Sequence, residues 1–215
     1  MEYSTSSRDY LLRARECLRE ETPQALFYAA LELRCGIGSR MSQYLDVWEH
    51  VSKRKKEGWR IADLARGAEE AFRLGNKIVR WAVHDPASGG LLAVFYYTPV
   101  TPTLQKHGER LGNYLHSMKR FRKQDDPWWG EFREDLETIT AQLELANRGT
   151  LLGPPLMRGS TGRVDMRLEM PPGTDPIAVL KPVRDSGKHM MIKVNYLDKL
   201  PVPLEPEAQV WILAS

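Results

Sequence analysis

A helical pattern of apolar residues begins at Thr22-Pro23 and continues to about Lys55. Threonine before proline is typical of a helix start, because the hydroxyl caps free backbone amides and the fixed φ of proline suits the first helical position. The apolar positions recur at helical spacing: Phe27, Ala30, Leu31, Ile37, Met41, Tyr44, Leu45, Trp48 and Val51. This stripe predicts one long helix buried along one side, and with it a mainly helical fold.

The same period recurs in shorter segments on both sides of this helix. We expect helices over residues 7–20 and 60–74, one that starts after Pro102, and a last one from Asp126-Pro127 to Gly149. Each segment has an apolar side wide enough to pack against a neighbour. Residues 1–150 are therefore predicted to form a helical bundle.

Two β-prone runs interrupt the helical pattern between about residues 77 and 98. Residues 78–83 and 91–97 are rich in β-branched and aromatic side chains, and residues 85–90 between them are typical of a turn. We predict a β-hairpin inserted between helices of the bundle.

After Gly149 the composition changes. Proline and glycine separate short strand-like runs near residues 164–170, 177–180, 190–196 and 209–213. Residues 151–215 are therefore predicted to form a small β-rich C-terminal region, packed on the helical body or on a partner.

The composition excludes several classes of protein. No apolar run approaches the roughly 18 residues of a membrane span, and the polar N-terminus does not resemble a signal or transit peptide. The two cysteines, Cys17 and Cys35, have apolar neighbours on predicted helices, so we expect buried free thiols in a cytoplasmic protein. Because His50, His84 and His189 lack ligand spacing, we predict no metal, and we predict no cofactor.

Basic residues concentrate in and after the helix that starts beyond Pro102. Residues 104–123 contain six basic side chains and one acidic side chain. Such a cluster can attract a polyanion, although the end of a helix is also a common place for solvated cations. We expect Lys119, Arg120, Arg122 and Lys123 to bind an RNA backbone.

Arg110, Asn113 and His116 follow one another at steps of three residues in this helix. Each step leaves successive side chains about 60° apart, so the three share one arc of about 120°, while Leu111 and Leu115 lie opposite. A guanidinium can hold a phosphodiester through two hydrogen bonds, and an imidazole can transfer a proton near neutral pH. These two groups suffice for metal-free RNA cleavage, in which the 2′-hydroxyl attacks its own phosphate.

The same residues also have simpler interpretations. An exposed face of arginine, asparagine and histidine is usually only solvated surface. Tyr114 could stack on an RNA base, but packing in a core or interface is the commoner role of such a side chain. His107, one turn before Arg110, could extend this polar arc, but a surface histidine is the simpler interpretation. Trp128-Trp129 more often anchors packing than stacks on bases.

The segment RLGNYLH, in which Arg110 and His116 are separated by five residues, resembles the R-x4–6-H motif of the HEPN superfamily (higher eukaryote and prokaryote nucleotide-binding domains). Residues 28–34, YAALELR, are similar to the long second helix of those bundles. The resemblance covers about residues 8–148. It implies an antiparallel helical bundle with the hairpin as an insertion and the β-rich region as an extension.

Many HEPN domains are metal-independent endoribonucleases of toxin–antitoxin and phage-defence systems, and they act as homodimers whose motif helices share one cleft. The resemblance implies that Arg110 stabilises the transition state, His116 is the general acid and base, and Asn113 orients the phosphate or the imidazole. It also implies an antitoxin or another protein partner. The alternative is a non-catalytic module that dimerises and binds a protein or a nucleotide. Leu111 fits that alternative, because many active members have a polar residue there.

Overall fold

The computed structural model describes residues 4–49, 51–56, 60–116, 122–158, 163–169 and 191–201, with the backbone alone for residues 54, 55, 156–158 and 163–165. The protein is mainly helical, as the sequence predicts. It divides into two compact units, residues 1–75 with 100–147 and residues 76–99 with 148–215. None of the helices in the described ranges is both long enough and apolar enough to cross a membrane.

Side-chain caps start the first two helices. Helix α1 spans Ser7–Leu18, and its cap is Ser6, whose hydroxyl accepts a hydrogen bond from the Asp9 amide at 3.2 Å. Helix α2 spans Pro23–Asp46, and the Thr22 hydroxyl accepts from the Ala25 amide at 3.2 Å. The start predicted at Thr22-Pro23 is confirmed, because these caps are local features of the sequence.

The prediction that α2 continues to about Lys55 is wrong beyond Asp46. The chain turns there and continues through the short helix α3, Lys53–Lys56, to α4, Ile61–Phe72. Trp48 is 1% exposed, and its ring packs edge-to-face against Phe72 with centroids 6.2 Å apart. The apolar period persists past the helix end because this turn is itself buried, and the pattern alone cannot separate a buried turn from a helix.

Helix α2 is the centre of the first unit. It packs against α1, α4, α5 (Pro102–His116) and α6 (Trp128–Asn147). The core side chains are almost fully buried: Leu33, Ile37, Met41 and Leu45 of α2, Leu64 of α4, Leu104 and Leu111 of α5, and Phe132 and Leu136 of α6. Burying each such side chain contributes about 1.5–3 kcal/mol, so packing on α2 fixes where the other helices lie.

The second unit contains the predicted hairpin, which is confirmed. Strands β1, Ile78–His84, and β2, Leu91–Tyr97, pair antiparallel. In the turn, the Asp85 amide donates to the Gly90 carbonyl and the Ala87 amide donates to the Asp85 carboxylate, each at 2.9 Å. Turn chemistry of this kind is readable from the residues themselves.

The hairpin pairs with the C-terminal region rather than standing alone. Strand β5, Met191–Leu197, lies antiparallel to β1, so the sheet order is β2-β1-β5 and Val79 lies opposite Tyr196. The short strands β3, Leu156–Arg158, and β4, Arg163–Asp165, form a second antiparallel pair. The strand-like runs predicted near residues 177–180 and 209–213 lie outside the described residues.

Candidate functional site

Helix α5 carries all three residues of the predicted catalytic set. The Thr101 hydroxyl accepts a hydrogen bond from the Leu104 amide at 3.2 Å and caps the helix, which ends at His116. Its buried positions are Leu104, Gly108, Leu111 and Gly112. Because these positions lie along one side of the helix, the opposite side faces solvent.

Two glycines set the rotation of α5. A Cβ atom at Gly108 would collide with the Ile61 side chain of α4, and one at Gly112 would lie 3.1 Å from Nε of Arg34 on α2. A methyl group at Gly108 would force Ile61 to move, and one at Gly112 would crowd the Arg34 side chain. With Gly108 and Gly112 turned inward, 100° per residue carries the side chain of Arg110 to the other side of the helix.

The structure confirms part of the predicted arrangement of α5. Asn113 and His116 are exposed, and the Arg110 side chain is 41% exposed. Leu111, predicted to face inward, is 1% exposed, and Leu115 is partly buried. The three polar side chains are therefore accessible to a ligand, but the side chains of Asn113 and His116 form no hydrogen bond or ion pair with another described residue.

Arg110 contacts α6 and its own helix rather than Asn113 or His116. Its Nη2 atom lies 3.0 Å from a carboxylate oxygen of Asp135 and 3.1 Å from Nδ1 of His107. Its Nε atom is buried and hydrogen-bonds to no described residue. Both partners of the ion pair are 41% exposed, so water screens their attraction and the pair is of the kind that contributes only about 0–1 kcal/mol.

His107 is a neutral hydrogen-bond acceptor in this arrangement. Arginine has only donors, so Nδ1 of His107 accepts from Nη2 of Arg110 and the ring proton resides on Nε2. Partial burial and then the positive charge of Arg110 lower the pKa of His107, while Asp135 acts in the opposite direction. His107 therefore belongs to the same cluster as Arg110.

Tyr114 packs against α6. Its ring meets Phe132 edge-to-face at a centroid distance of 5.2 Å and Trp128 at 5.7 Å. Trp128 in turn stacks on Phe132 at 4.7 Å, and Trp129 meets Phe27 of α2 at 5.9 Å. The tryptophan pair thus anchors the start of α6, and Tyr114 fixes the position of α5 beside it.

The predicted RNA-binding cations are only partly described. Lys119 and Arg120 lie outside the described residues. The Arg122 guanidinium carbon lies 4.1 Å from the ring centre of Trp128, and its Nη1 is 3.4 Å from a carboxylate oxygen of Asp126. Lys123 is exposed. Arg122 is therefore held near the aromatic cluster, with its charge already facing an acid.

Within the described ranges, no group of three or more histidine, cysteine, aspartate or glutamate side chains could hold a metal ion. Cys17 and Cys35 are free thiols, although both are only partly buried rather than buried as predicted. Burial, as the main cause, raises the pKa of each thiol. A raised pKa keeps a thiol protonated and unreactive at neutral pH, so neither cysteine is a candidate nucleophile.

Asp135 was not predicted as a neighbour of the motif. Helices α5 and α6 run antiparallel, since Tyr114 meets Trp128 and Phe132 while Arg110, one turn earlier, meets Asp135. Once Tyr114 is paired with Phe132, a position three residues further along α6 must face Arg110. The spacing of Phe132 and Asp135 in the sequence is consistent with this contact, but predicting it requires the register between α5 and α6.

Comparison with protein-family models, with curated proteins and with solved structures finds no match for this chain.

Proposed function

We propose that this chain is a metal-independent RNA endonuclease of HEPN type, and that the exposed side of α5 is its active surface. The main support is that one helix presents Arg110, Asn113 and His116 to solvent while glycines and leucines hold its other side in the core. The motif RLGNYLH and the order of helices before it agree with this proposal.

The proposed reaction needs one phosphate ligand and two proton transfers. The 2′-oxygen attacks the adjacent phosphorus, the bond from phosphorus to the 5′-oxygen breaks, and a 2′,3′-cyclic phosphate forms. A general base takes the proton of the 2′-hydroxyl, and a general acid gives one to the leaving 5′-oxygen. One imidazole cannot be base and acid at once, so the two copies of His116 in a homodimer would supply both functions.

Arg110 would bind the non-bridging phosphate oxygens and stabilise their developing charge. Asn113 lies about 60° around the helix and would orient the phosphate or the imidazole. Lys119, Arg120, Arg122 and Lys123 would hold the RNA backbone beyond the end of α5, and Tyr114 would contribute by positioning the helix. The exposed ion pair with Asp135 is weak enough to yield to a phosphodiester.

A non-catalytic binding module is the second candidate. The observation that favours it is the engagement of Arg110 by Asp135 and His107, which gives the guanidinium a role within one chain. In that case the exposed side of α5 would bind a second copy, an antitoxin or another protein, or a nucleotide, without cleaving RNA.

One experiment separates these candidates. Purified protein is incubated in EDTA with a 5′-labelled pool of transfer RNA and with a 30-nucleotide unstructured RNA. Arg110→Ala and His116→Ala are compared with Lys106→Ala, which removes an exposed cation from the same helix. We expect cleavage by the wild type and by Lys106→Ala, and a loss of at least about 100-fold in each motif variant.

If wild type and motif variants leave both RNAs equally intact, the endonuclease proposal fails for these substrates. RNA binding that still requires Arg110 would then support the non-catalytic module. Metal-dependent cleavage that survives His116→Ala would overturn the proposed mechanism. Sedimentation of the active protein tests the dimer, because cleavage by a strictly monomeric species contradicts a cleft shared by two motif helices.

A further inference from the structure

We infer that Asp135 and His107 together block the phosphate-binding edges of Arg110, so that RNA must displace Asp135 before the guanidinium can act. This inference rests on the proposed role of Arg110 in holding a phosphodiester. It adds that access of a phosphate to Arg110 is regulated by Asp135 of α6 and by His107, a histidine outside the motif.

The geometry of one nitrogen carries the inference. Asp135 at 3.0 Å and His107 at 3.1 Å both contact Nη2 of Arg110. This nitrogen donates a hydrogen bond to His107 and forms an ion pair with Asp135, so both neighbours lie directly beside it. No other nitrogen of the guanidinium hydrogen-bonds to a described residue.

Nη2 is the nitrogen that a bidentate ligand cannot avoid. A guanidinium offers two edges on which two parallel N–H groups face one anion: one pairs Nη2 with Nε, and the other pairs Nη2 with Nη1. The Nε atom of Arg110 is also buried. A phosphate that approaches an edge containing Nη2 therefore competes with His107 for a hydrogen and with Asp135 for the charge of the guanidinium.

The two acceptors differ in how they can be released. His107 accepts only while its ring is neutral, and Arg110 beside it helps to keep the ring in that form. Asp135 holds Nη2 by charge, in an ion pair that is 41% exposed on both sides, and an incoming phosphate competes for the same charge. Asp135 is therefore the group that RNA displaces, and removing its charge should open the edge formed by Nη1 and Nη2.

The test measures binding of a non-cleavable probe, a 30-nucleotide oligomer with 2′-deoxyribose at every position, by fluorescence anisotropy at pH 7.5. Asp135→Asn and Asp135→Ala are compared with Glu134→Gln, which also removes one negative charge, from the adjacent and exposed position of α6. We expect both Asp135 variants to bind about threefold or more tightly than Glu134→Gln, since an exposed ion pair is worth up to about fivefold in an equilibrium constant.

A second arm ties the effect to Arg110. In an Arg110→Ala background, Asp135→Asn should change binding no more than Glu134→Gln does, because no guanidinium remains to be released. Equal binding by Asp135→Asn and Glu134→Gln in the native background would overturn the inference, as would an effect of Asp135→Asn that persists without Arg110. The proposed function fails separately, when Arg110→Ala changes neither probe binding nor RNA cleavage.

Discussion

Gly108 of α5 faces Ile61 of α4 so closely that a Cβ atom on the glycine would collide with the Ile61 side chain. Four residues later, Gly112 leaves space for the Arg34 side chain. Two hydrogen-sized positions on one side of a helix therefore determine which side of α5 faces solvent. The accessibility of Arg110 and His116 depends on this packing as much as on their own spacing.

Gly108→Ala should destabilise the protein despite the better helix propensity of alanine. The added methyl group must displace Ile61, and overpacking of this kind costs about 1–3 kcal/mol, against about 1 kcal/mol gained from replacing a helical glycine. Urea unfolding measures the difference. Gly130→Ala on α6 is the matched control, because nothing lies within 4 Å of its added Cβ and it should be stabilising. Equal stability of the two variants would contradict the close packing of α5.

Arg40 should be essential for stability although it is charged. Its side chain is 0% exposed, and its Nε atom donates to the Tyr44 hydroxyl at 3.0 Å and to the Ala146 carbonyl, near the end of α6, at 3.2 Å. Arg40→Ala removes these hydrogen bonds and the packing of the long stem, so we expect a loss of about 3 kcal/mol in the free energy of unfolding.

Arg40→Met keeps much of the stem volume and should cost less than Arg40→Ala. The surface control is Arg66→Ala, whose side chain is 69% exposed and whose effect should stay within about 0.5 kcal/mol. A cost for Arg40→Ala as small as that of Arg66→Ala would show that Arg40 does not link α2 to α6.

His107 should titrate below the usual histidine value of about 6.5. Burial and the charge of Arg110 lower the pKa of its ring, and Asp135 partly opposes them. Proton NMR should therefore find that Arg110→Gln raises the pKa of His107 and that Asp135→Asn lowers it further. A lower pKa of His107 in Arg110→Gln, or a higher one in Asp135→Asn, would contradict the contacts of Arg110 with His107 and Asp135.

The same shift predicts how this histidine affects stability as pH changes. Because the pKa of His107 is lower in the folded state, the unfolded chain binds the proton more readily below about pH 6.5. The contribution of His107 is thus present above that pH and is lost as pH falls through the folded pKa. His107→Gln, compared with wild type by urea unfolding at pH 7.5 and 5.0, should lose less stability on acidification. A larger loss of stability on acidification in His107→Gln than in wild type would contradict a lowered pKa of His107 in the folded state.

Tyr114 should matter through its ring rather than its hydroxyl. The ring packs edge-on against both Trp128 and Phe132, so Tyr114→Ala should cost about 2–4 kcal/mol, while Tyr114→Phe should stay within about 1 kcal/mol of wild type. Thermal unfolding measures both. If Tyr114→Ala is as stable as wild type but binds RNA less well, base stacking rather than helix packing is its role.

Local features of this fold were predictable from sequence. The start of α2 at Thr22-Pro23 and the turn at Asp85 follow from residues that satisfy their own backbone, and the buried Leu111 follows from the helical period. The end of α2 was not predictable from sequence. Trp48 continues the helical spacing of apolar residues although it lies in a turn, where it packs on Phe72.

Contacts between segments distant in the chain could not be predicted from the sequence. The pairing of β1 with β5 and the approach of Asp135 to Arg110 depend on strand and helix registers that no local pattern specifies. Arg40 likewise lies within the apolar stripe of α2, and only the end of α6 explains why a charge is buried there. For the candidate site, sequence predicted the exposed residues but not the partners that hold Arg110.

The proposed metal-independent RNA cleavage is tested most directly by the chemistry of the RNA ends after incubation with purified protein in EDTA. We expect a 2′,3′-cyclic phosphate on one product and a 5′-hydroxyl on the other, with both absent in His116→Ala and in Arg110→Ala. Products with a 5′-phosphate and a 3′-hydroxyl, or the predicted ends from His116→Ala at the wild-type rate, would contradict it.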